Sequence, residues 1–417
     1  MPYQVFFISL GCAKNQVNCE QMMATVQHAG HDIVSSPEGA DVAVVNTCGF
    51  LASACEEAID NILEMAALKQ EGKLKKIIVT GCMAQRYKDD VLHELPEVDA
   101  VLGTGSYGDI ALAVDEVMGA QALRPCHMGD IHHCEQGGAR ILSTPAWYAY
   151  LRIAEGCDNC CAYCIIPRLR GRYRSRPMAE LLDEASELAS AGVKELIVIA
   201  QDITRYGMDL NGEHQLAALL RELCKLDFHW IRLHYLYPDD ITDELIDTIA
   251  QEEKIVPYLD IPIQHCNDAI LKAMNRRDTK ESIRRPSATC ARAFPALCCA
   301  RPSSQAYPAR ARRNSRNCAT SCARKRSSAR ACSPSLPKRG RRPRRWSTFP
   351  LRRRSAARSF WSTCRAISST HTTTPSSATC ARCCARAGAR KRSPMSAAAT
   401  PNPWTLTERF TFPQTVI

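Results

Sequence analysis

Through the first hundred residues, short runs of β-branched and aliphatic positions alternate with longer stretches of helical period. Val5–Leu10, Val42–Asn46, Lys76–Thr80 and Asp99–Leu102 read as strands, with helices predicted between them over residues 16–29, 52–69 and 84–93. Parallel neighbours need long connections, which helices fill, so this alternation predicts a parallel α/β sheet. The pattern resumes downstream. Residues 148–156 read as a strand, and Leu181, Leu182, Ala185, Leu188 and Ala189 line one face of a helix over 180–191 that stops at Gly192. Glu195–Ala200, Trp230–Tyr235 and Tyr258–Ile263 are further strands, ending in the polar pairs Gln201-Asp202, Tyr237-Pro238 and Gln264-His265. This second series predicts a partial parallel (β/α) barrel that stops after its fourth strand, with the polar strand ends turned toward a site. The expected organisation is a first domain over 1–125, a linker over 126–145, an incomplete barrel over 146–284 and an irregular tail over 285–417.

Charge separates the tail from the rest. Residues 1–284 carry 26 Lys+Arg against 42 Asp+Glu, whereas residues 285–417 carry 28 basic residues and one acid, Glu408. The basic total thus belongs to the tail and does not mark the patterned part as a nucleic-acid binder. The first residues, Met1-Pro2-Tyr3-Gln4, lack a charged leader, and the apolar run after them ends by Gly11. That run is too short for a signal peptide or a membrane span, which predicts a cytoplasmic chain with no membrane association. In the cytosol, a chain with 13 cysteines before residue 285 is expected to bind metal or do redox chemistry rather than form disulfides.

The cysteines fall into two sets. Cys12, Cys48 and Cys82 each follow a predicted strand at its carboxyl end, beside Gly11, Gly49 and Gly81. Ligands bind at that edge of a parallel sheet, so three cysteines at equivalent positions point to a metal or cluster site. Any one of them alone would read as a small packing residue, which is how Cys19 and Cys55, inside predicted helices, are read. Cys157, Cys161 and Cys164 form a C-x3-C-x2-C loop directly after a strand. Three thiolates hold three irons of a cubane and leave the fourth open to an exogenous ligand. Zinc on two interleaved CxxC pairs is the competing reading, but the eight-residue span from Cys157 to Cys164 has no room for a finger. The following Arg168, Arg170, Arg172, Arg174 and Arg176 form either a solvated basic stretch or a contact for an acidic or phosphate-bearing partner.

Together the two triads resemble those of the radical-SAM methylthiotransferases over nearly all of residues 4–284. The wording of Ser9-Leu10-Gly11-Cys12-Ala13-Lys14-Asn15, of Gln201-Asp202-Ile203-Thr204-Arg205-Tyr206-Gly207 and of Leu259-Asp260-Ile261-Pro262-Ile263-Gln264-His265 is similar to the RimO-type branch. The tRNA-modifying branch tends to have Gln-Asn where this chain has Gln201-Asp202. The departures are Cys19, where Ser is common, and Cys160 and Ala162 inside the loop. The resemblance implies two [4Fe–4S] clusters, one on Cys12, Cys48 and Cys82 and one on Cys157, Cys161 and Cys164, with S-adenosylmethionine as cosubstrate at the second. It further implies methylthiolation of the β-carbon of an aspartate of ribosomal protein uS12, by a monomer. A tRNA adenosine methylthiotransferase is the alternative. That C–H bond is too weakly acidic for a side-chain base, so a radical cofactor carries the difficult step.

The tail reads as a shifted reading frame. Pro302-Ser303-Ser304-Gln305-Ala306-Tyr307-Pro308 is encoded by CCN UCN UCN CAR GCN UAY CCN. Read from the third base, this allows Phe-Ile-Thr-Gly-Leu-Pro, similar to the fifth-strand Gly-x-Pro of radical-SAM barrels. The same shift over 285–296 allows a helix ending in Pro-Gly. On this reading the last barrel strands and the family's C-terminal TRAM domain are missing, and an inactive product is a further alternative. At face value, the same residues read as a disordered basic arm.

Overall fold

The computed structural model describes residues 2–119, 124–132 and 137–284, together with the backbone of 298–300, 303–304 and 332–333. The remainder of the expected tail lies outside the described residues.

The first series of elements is β1 (Gln4–Ser9), α1 (Ala13–His28), β2 (Asp32–Val34), β3 (Val42–Thr47), α2 (Ala52–Gln70), β4 (Lys76–Gly81), α3 (Cys82–Glu94), β5 (Ala100–Leu102), α4 (Ile110–Met118) and β6 (Cys126–His127). They build a wholly parallel sheet of order β2-β1-β3-β4-β5-β6. Both faces are covered, which is why its strands are continuous apolar runs. Phe6, Ile8, Ala43, Val45, Ile77 and Val79 pack against Ile62, Met65 and Met83 of α2 and α3. The alternate positions Val5, Phe7, Val44 and Ile78 pack against Met22, Val26, Ile110 and Val114 of α1 and α4.

The second series is β7 (Tyr148–Arg152), β8 (Ala154–Glu155), α5 (Ile166–Arg170), β9 (Arg174–Ser175), α6 (Met178–Ser190), β10 (Glu195–Ile199), α7 (Leu216–Cys224), β11 (Trp230–Leu233), α8 (Asp243–Gln251), β12 (Ile255–Asp260), α9 (Asp268–Ala273) and β13 (Cys298–Ala300). Its parallel sheet has the order β13-β12-β11-β10-β7. Leu181, Leu220 and Ile246 of the helices cover one face over Leu151, Val198 and Leu233. On the other face Tyr150, Ile197 and Ile199 meet Val17, so α1 of the first sheet's layer closes the inner side of the second sheet.

The α/β architecture with parallel sheets is as expected, and several local expectations are corrected. A fifth strand, β13, pairs with β12 where the sequence suggested that the sheet stops at four. The strand expected over Tyr258–Ile263 is Ile255–Asp260, because Pro262 has no N–H to donate and Ile263 turns back onto the Ile261 carbonyl at 2.9 Å. The predicted strand over 148–156 breaks at Ile153 into β7 and β8. The short β2 and β6 and the helix α4 were not anticipated.

Gly81 illustrates how tightly the strand ends are packed. It has φ +95°, and an added Cβ would lie 2.5 Å from the Thr47 carbonyl oxygen. Gly72 has φ +76° with nothing within 4 Å. We expect Gly81→Ala to lower unfolding free energy by about 2–4 kcal/mol and Gly72→Ala by about 1 kcal/mol, measured by urea denaturation.

Candidate iron–sulfur sites

The three first-sheet cysteines gather where the sequence suggested. Cys12 caps the N-terminus of α1, Cys48 follows β3 directly, and Cys82 opens α3. Their glycines let the loops interlock: a Cβ on Gly11 would stand 2.8 Å from Cys48 Cβ, and one on Gly49 would stand 2.6 Å from the Cys82 carbonyl oxygen. Polar side chains fix the backbones. Asn15 Nδ2 donates to Leu10 O at 2.7 Å, Asn46 Nδ2 to Asn15 O at 2.8 Å, and Thr47 Oγ1 to Thr80 O at 2.6 Å.

The electrostatics of this trio favour the thiolate at Cys12 and the thiol at Cys48 and Cys82. Burial pushes Cys12 up, but the charges of Lys14 and Arg170 and the N–H groups of Asn15 and Lys14 outweigh it, so its thiol lies below its ordinary value. Burial raises Cys48 and Cys82, with Cys12 adding to both as a neighbouring negative charge. Cys19 and Cys55 behave as packing residues. Cys19 is buried in α1 with its thiol pushed up to about 12, and Cys55 lies in α2 with Sγ 3.6 Å from the Cys48 carbonyl.

The second triad lies on the loop between β8 and α5. Gly156 enters it at φ +80°, with Arg172 O where a Cβ would be, and Cys157 N–H donates to Gly171 O at 3.2 Å. Ala162 N–H donates to Met274 O at 2.8 Å, and Asn275 Nδ2 to Cys160 O at 2.9 Å, which ties the loop to the chain after α9. Arg276, buried and paired with Asp278 at 2.8 Å, stacks 4.2 Å from the Tyr237 ring, whose hydroxyl is 3.9 Å from Cys161 Sγ. Burial pushes Cys157 up to about 12 and Cys164 up to about 11, so these thiols would lose their protons to a metal rather than to water. Cys160 is exposed with φ +48° and lies outside the triad's spacing.

Of the polar strand ends, Asp202 and Tyr237 face this loop; Asn159 Nδ2 donates to Asp202 Oδ2 at 3.1 Å. Gln201 instead bonds Glu155, and His265 Nδ1 accepts from Asn267 N–H at 3.0 Å. The twelve described cysteines before residue 285 are all free thiols. Among the described residues no group of three or more His, Cys, Asp or Glu is drawn together around a single-ion position. A cubane spreads its thiolates over separate irons, so the interlocked glycine loops and all-cysteine donor sets fit that group.

The arginine run is split: Arg168 and Arg172 are exposed, whereas Arg170 and Arg176 are buried. Arg170 is buried, with Nη1 3.1 Å from Glu155 Oε2 and 2.7 Å from Asn18 Oδ1, and Nη2 3.0 Å from Asn15 Oδ1 and 3.3 Å from Cys82 Sγ. Arg152 shares Glu155 at 2.8 Å, and Arg176 pairs with Glu184 at 2.6 Å. Burial opposes Arg170's charge, yet Cys82, Tyr107 and Glu155 outweigh it and raise its pKa. One guanidinium therefore joins Cys82 of the first triad to Glu155, at the entrance to the second triad's loop. Glu155 was not anticipated from the sequence, and Arg170 was expected only as one of a basic run; the signal was their place at the two ends of the cysteine loop.

Residues 4–103 match the model described as "Uncharacterized protein family UPF0004", and residues 151–301 match that of the Radical SAM superfamily. Ribosomal protein uS12 methylthiotransferase RimO of Lachnoclostridium phytofermentans is 51% identical over 282 residues, 67% of this chain and 64% of that protein. The protein of the same name from Thermoanaerobacter sp. (strain X514) is 50% identical over 281 residues, 67% of this chain and 64% of its own length. The chain thus spans just under two thirds of the length of these curated relatives. Among solved structures, the radical S-adenosylmethionine methyltransferase TsrM from Kitasatospora setae shares the fold at TM-score 0.59 and 12% identity, over 79% of this chain and 73% of that one. The cobalamin-dependent radical enzyme OxsB does so at TM-score 0.51 and 12% identity, over 76% and 51%.

Two outcomes follow from this geometry. Arg170→Met strips Glu155 and Cys82 of a shared buried cation and should cost about 3–5 kcal/mol in denaturant unfolding, with part recovered in the double variant that adds Glu155→Gln. Burial pushes the Asp202 carboxyl from 3.8 up to about 6, against hydrogen bonds from Thr204 and Asn159. Between those values the folded chain holds a proton that the unfolded chain has lost, so stability falls as pH rises through this window. The contribution is about 3 kcal/mol. Subtracting the unfolding free energy of Asp202→Asn from that of the wild type, at steps from pH 4 to pH 7, should reveal this decline. A flat difference would contradict it.

Proposed function

We propose that this chain is a radical-SAM methylthiotransferase, as its roughly 50% identity to RimO proteins over two thirds of its length suggests, and that it replaces a hydrogen on the β-carbon of an aspartate of ribosomal protein uS12 with a methylthio group. It would use S-adenosylmethionine and two [4Fe–4S] clusters. The observation that carries this reading is the pair of cysteine triads, one at the carboxyl edge of the first parallel sheet and one on the loop after β8, with Arg170 bonded to Cys82 of the first and to Glu155, two residues before Cys157 of the second. Cys157, Cys161 and Cys164 would hold one cluster, and Cys12, Cys48 and Cys82 the other. A cluster held on the loop would, with S-adenosylmethionine, supply the one-electron radical chemistry that an unactivated C–H bond requires. The chain's own residues do the positioning. Gly156 and Gly171 bend the loop, the Tyr237–Arg276–Asp278 stack backs Cys161, and Asp202 braces the loop through Asn159. Lys14 and Arg170 favour the thiolate at Cys12. No helix among the described residues is long and apolar enough to cross a membrane, and a ribosomal substrate is met in the cytoplasm.

For the residues from Arg285 onward, the reading is an out-of-frame product. The curated similarity spans 282 residues in a relative of which that stretch is 64%, and the tail's charge departs abruptly from what precedes it. Resequencing the gene across codons 280–290 is expected to expose one inserted or deleted base; a clean read in this frame overturns the idea and favours the basic arm.

Anaerobic reconstitution should load about eight irons per chain, falling to about four when Cys12, Cys48 and Cys82 are changed to Ala. That variant should still cleave S-adenosylmethionine without methylthiolating ribosomes, whereas Ala at Cys157, Cys161 and Cys164 should abolish both. Mass spectrometry of ribosomes and tRNA incubated with the enzyme identifies the substrate. A single zinc and no cleavage would sink the proposal, and methylthiolated tRNA would transfer it to the sister branch.

A further inference from the structure

The cations described at the core of this molecule have carboxylate partners, with one exception. Arg152 and Arg170 share Glu155, Arg176 has Glu184, Arg276 has Asp278, and Arg140 stands between Glu20 and Glu184. Lys14 is only 8% exposed and forms no ion pair among the described residues. Its Nζ donates to the Ala200 carbonyl at 3.4 Å and lies 3.3 Å from the centre of the Tyr235 ring. A carbonyl and a ring face replace only part of the hydration an ammonium gives up, so a buried amine with no ion pair of its own can take an anion.

Its location narrows which anion. Lys14 is two residues past Cys12 on α1, yet its amine reaches the end of β10, at the carboxyl edge of the second sheet. That edge is where parallel sheets bind ligands. Tyr235, just past β11, is held at φ +68°, a conformation a non-glycine residue adopts only where its surroundings enforce it, and there its ring lies under the amine. Asp260, at the end of β12, feels the charge of Lys14 favourably but is not bonded to it. The amine therefore stands between the first cysteine triad and the inner face of the second sheet.

We propose that Lys14 is the counter-ion for the side-chain carboxylate of the substrate aspartate, and so a specificity-determining residue. This rests on the methylthiotransferase reading above. The β-carbon of an aspartate is one bond from its side-chain carboxyl, so an ammonium that holds the carboxylate also fixes the carbon to be modified. The same ammonium rejects asparagine, which brings no charge to compensate it.

The test uses the full chain with its clusters reconstituted anaerobically, and labelled uS12 loop peptides carrying the target Asp or Asn at that position. Fluorescence anisotropy measures binding to wild type, Lys14→Met, Lys14→Gln and Lys14→Arg, with iron content and thermal unfolding measured in parallel. The wild type should favour the Asp peptide by at least about tenfold. Lys14→Met and Lys14→Gln should weaken that peptide about 30-fold while changing the Asn peptide less than about twofold, and Lys14→Arg should restore most of the preference. Lys14→Gln, which keeps a donor for Ala200, decides the question if Lys14→Met takes up less iron. Equal weakening of both peptides marks Lys14 as structural and overturns the proposal, as does a preference for Asp that survives both neutral variants. A wild type that binds neither peptide but binds a tRNA anticodon hairpin overturns the uS12 reading itself, and the proposal with it.

Discussion

The arrangement depends on one buried carboxylate. Glu155 stands at the entrance to the cysteine loop, accepts from Arg152 and Arg170, and is bonded by Gln201 from the end of β10. Taking any of these charges out of water is unfavourable alone; together they are compensated, and the compensation has a direction. Arg170 cannot satisfy Glu155 without also presenting its other nitrogen to Asn15 and Cys82 of the first sheet. A fixed guanidinium fork thus converts a local charge pair into a constraint between domains. The first triad and the entrance to the second triad's loop are held in one relation because a single planar group is bonded to Cys82 and to Glu155.

That constraint gives the arginine-rich segment its meaning. A run of alternate arginines looks like a surface when only charge is counted, and two of the five, Arg168 and Arg172, are indeed exposed. Arg170 and Arg176 are instead internal, each opposite an acid more than five residues away in sequence. An acidic body with buried arginines is consistent with the charge balance of residues 1–284, where acids outnumber bases. Basic composition in the tail had nothing to do with these pairs.

Much of the architecture was legible from periodicity. Strands buried on both faces must be continuous apolar runs, and β1, β3 and β4 are, so their ends and the cysteines beyond them could be read directly. The errors have local causes. The two- and three-residue strands β2, β6 and β13 owe their pairing to a neighbour rather than to a pattern of their own. The shift of β12 came from counting apolar Ile261 and Ile263 as ladder residues although Pro262 between them interrupts the hydrogen bonding. The cysteine positions were legible because spacing and strand ends are sequence properties. Arg170, Glu155 and Lys14 were not, because what distinguishes them is the distant group each one meets.

Lys14 and Arg170 show two ways a fold can use a buried cation next to the same cysteine. Both charges favour the thiolate of Cys12. Arg170 is matched by Glu155 and braced by two asparagine side chains, so its charge is committed to the protein. Among the described residues, Lys14 forms no ion pair, and its amine meets a carbonyl and a ring. If both cations served stability alone, the second would be a poor choice, since an apolar side chain at the same point would pack against Tyr235 without the desolvation cost. The asymmetry makes sense where one cation holds the domains together and the other waits on a carboxylate that the protein does not itself contain.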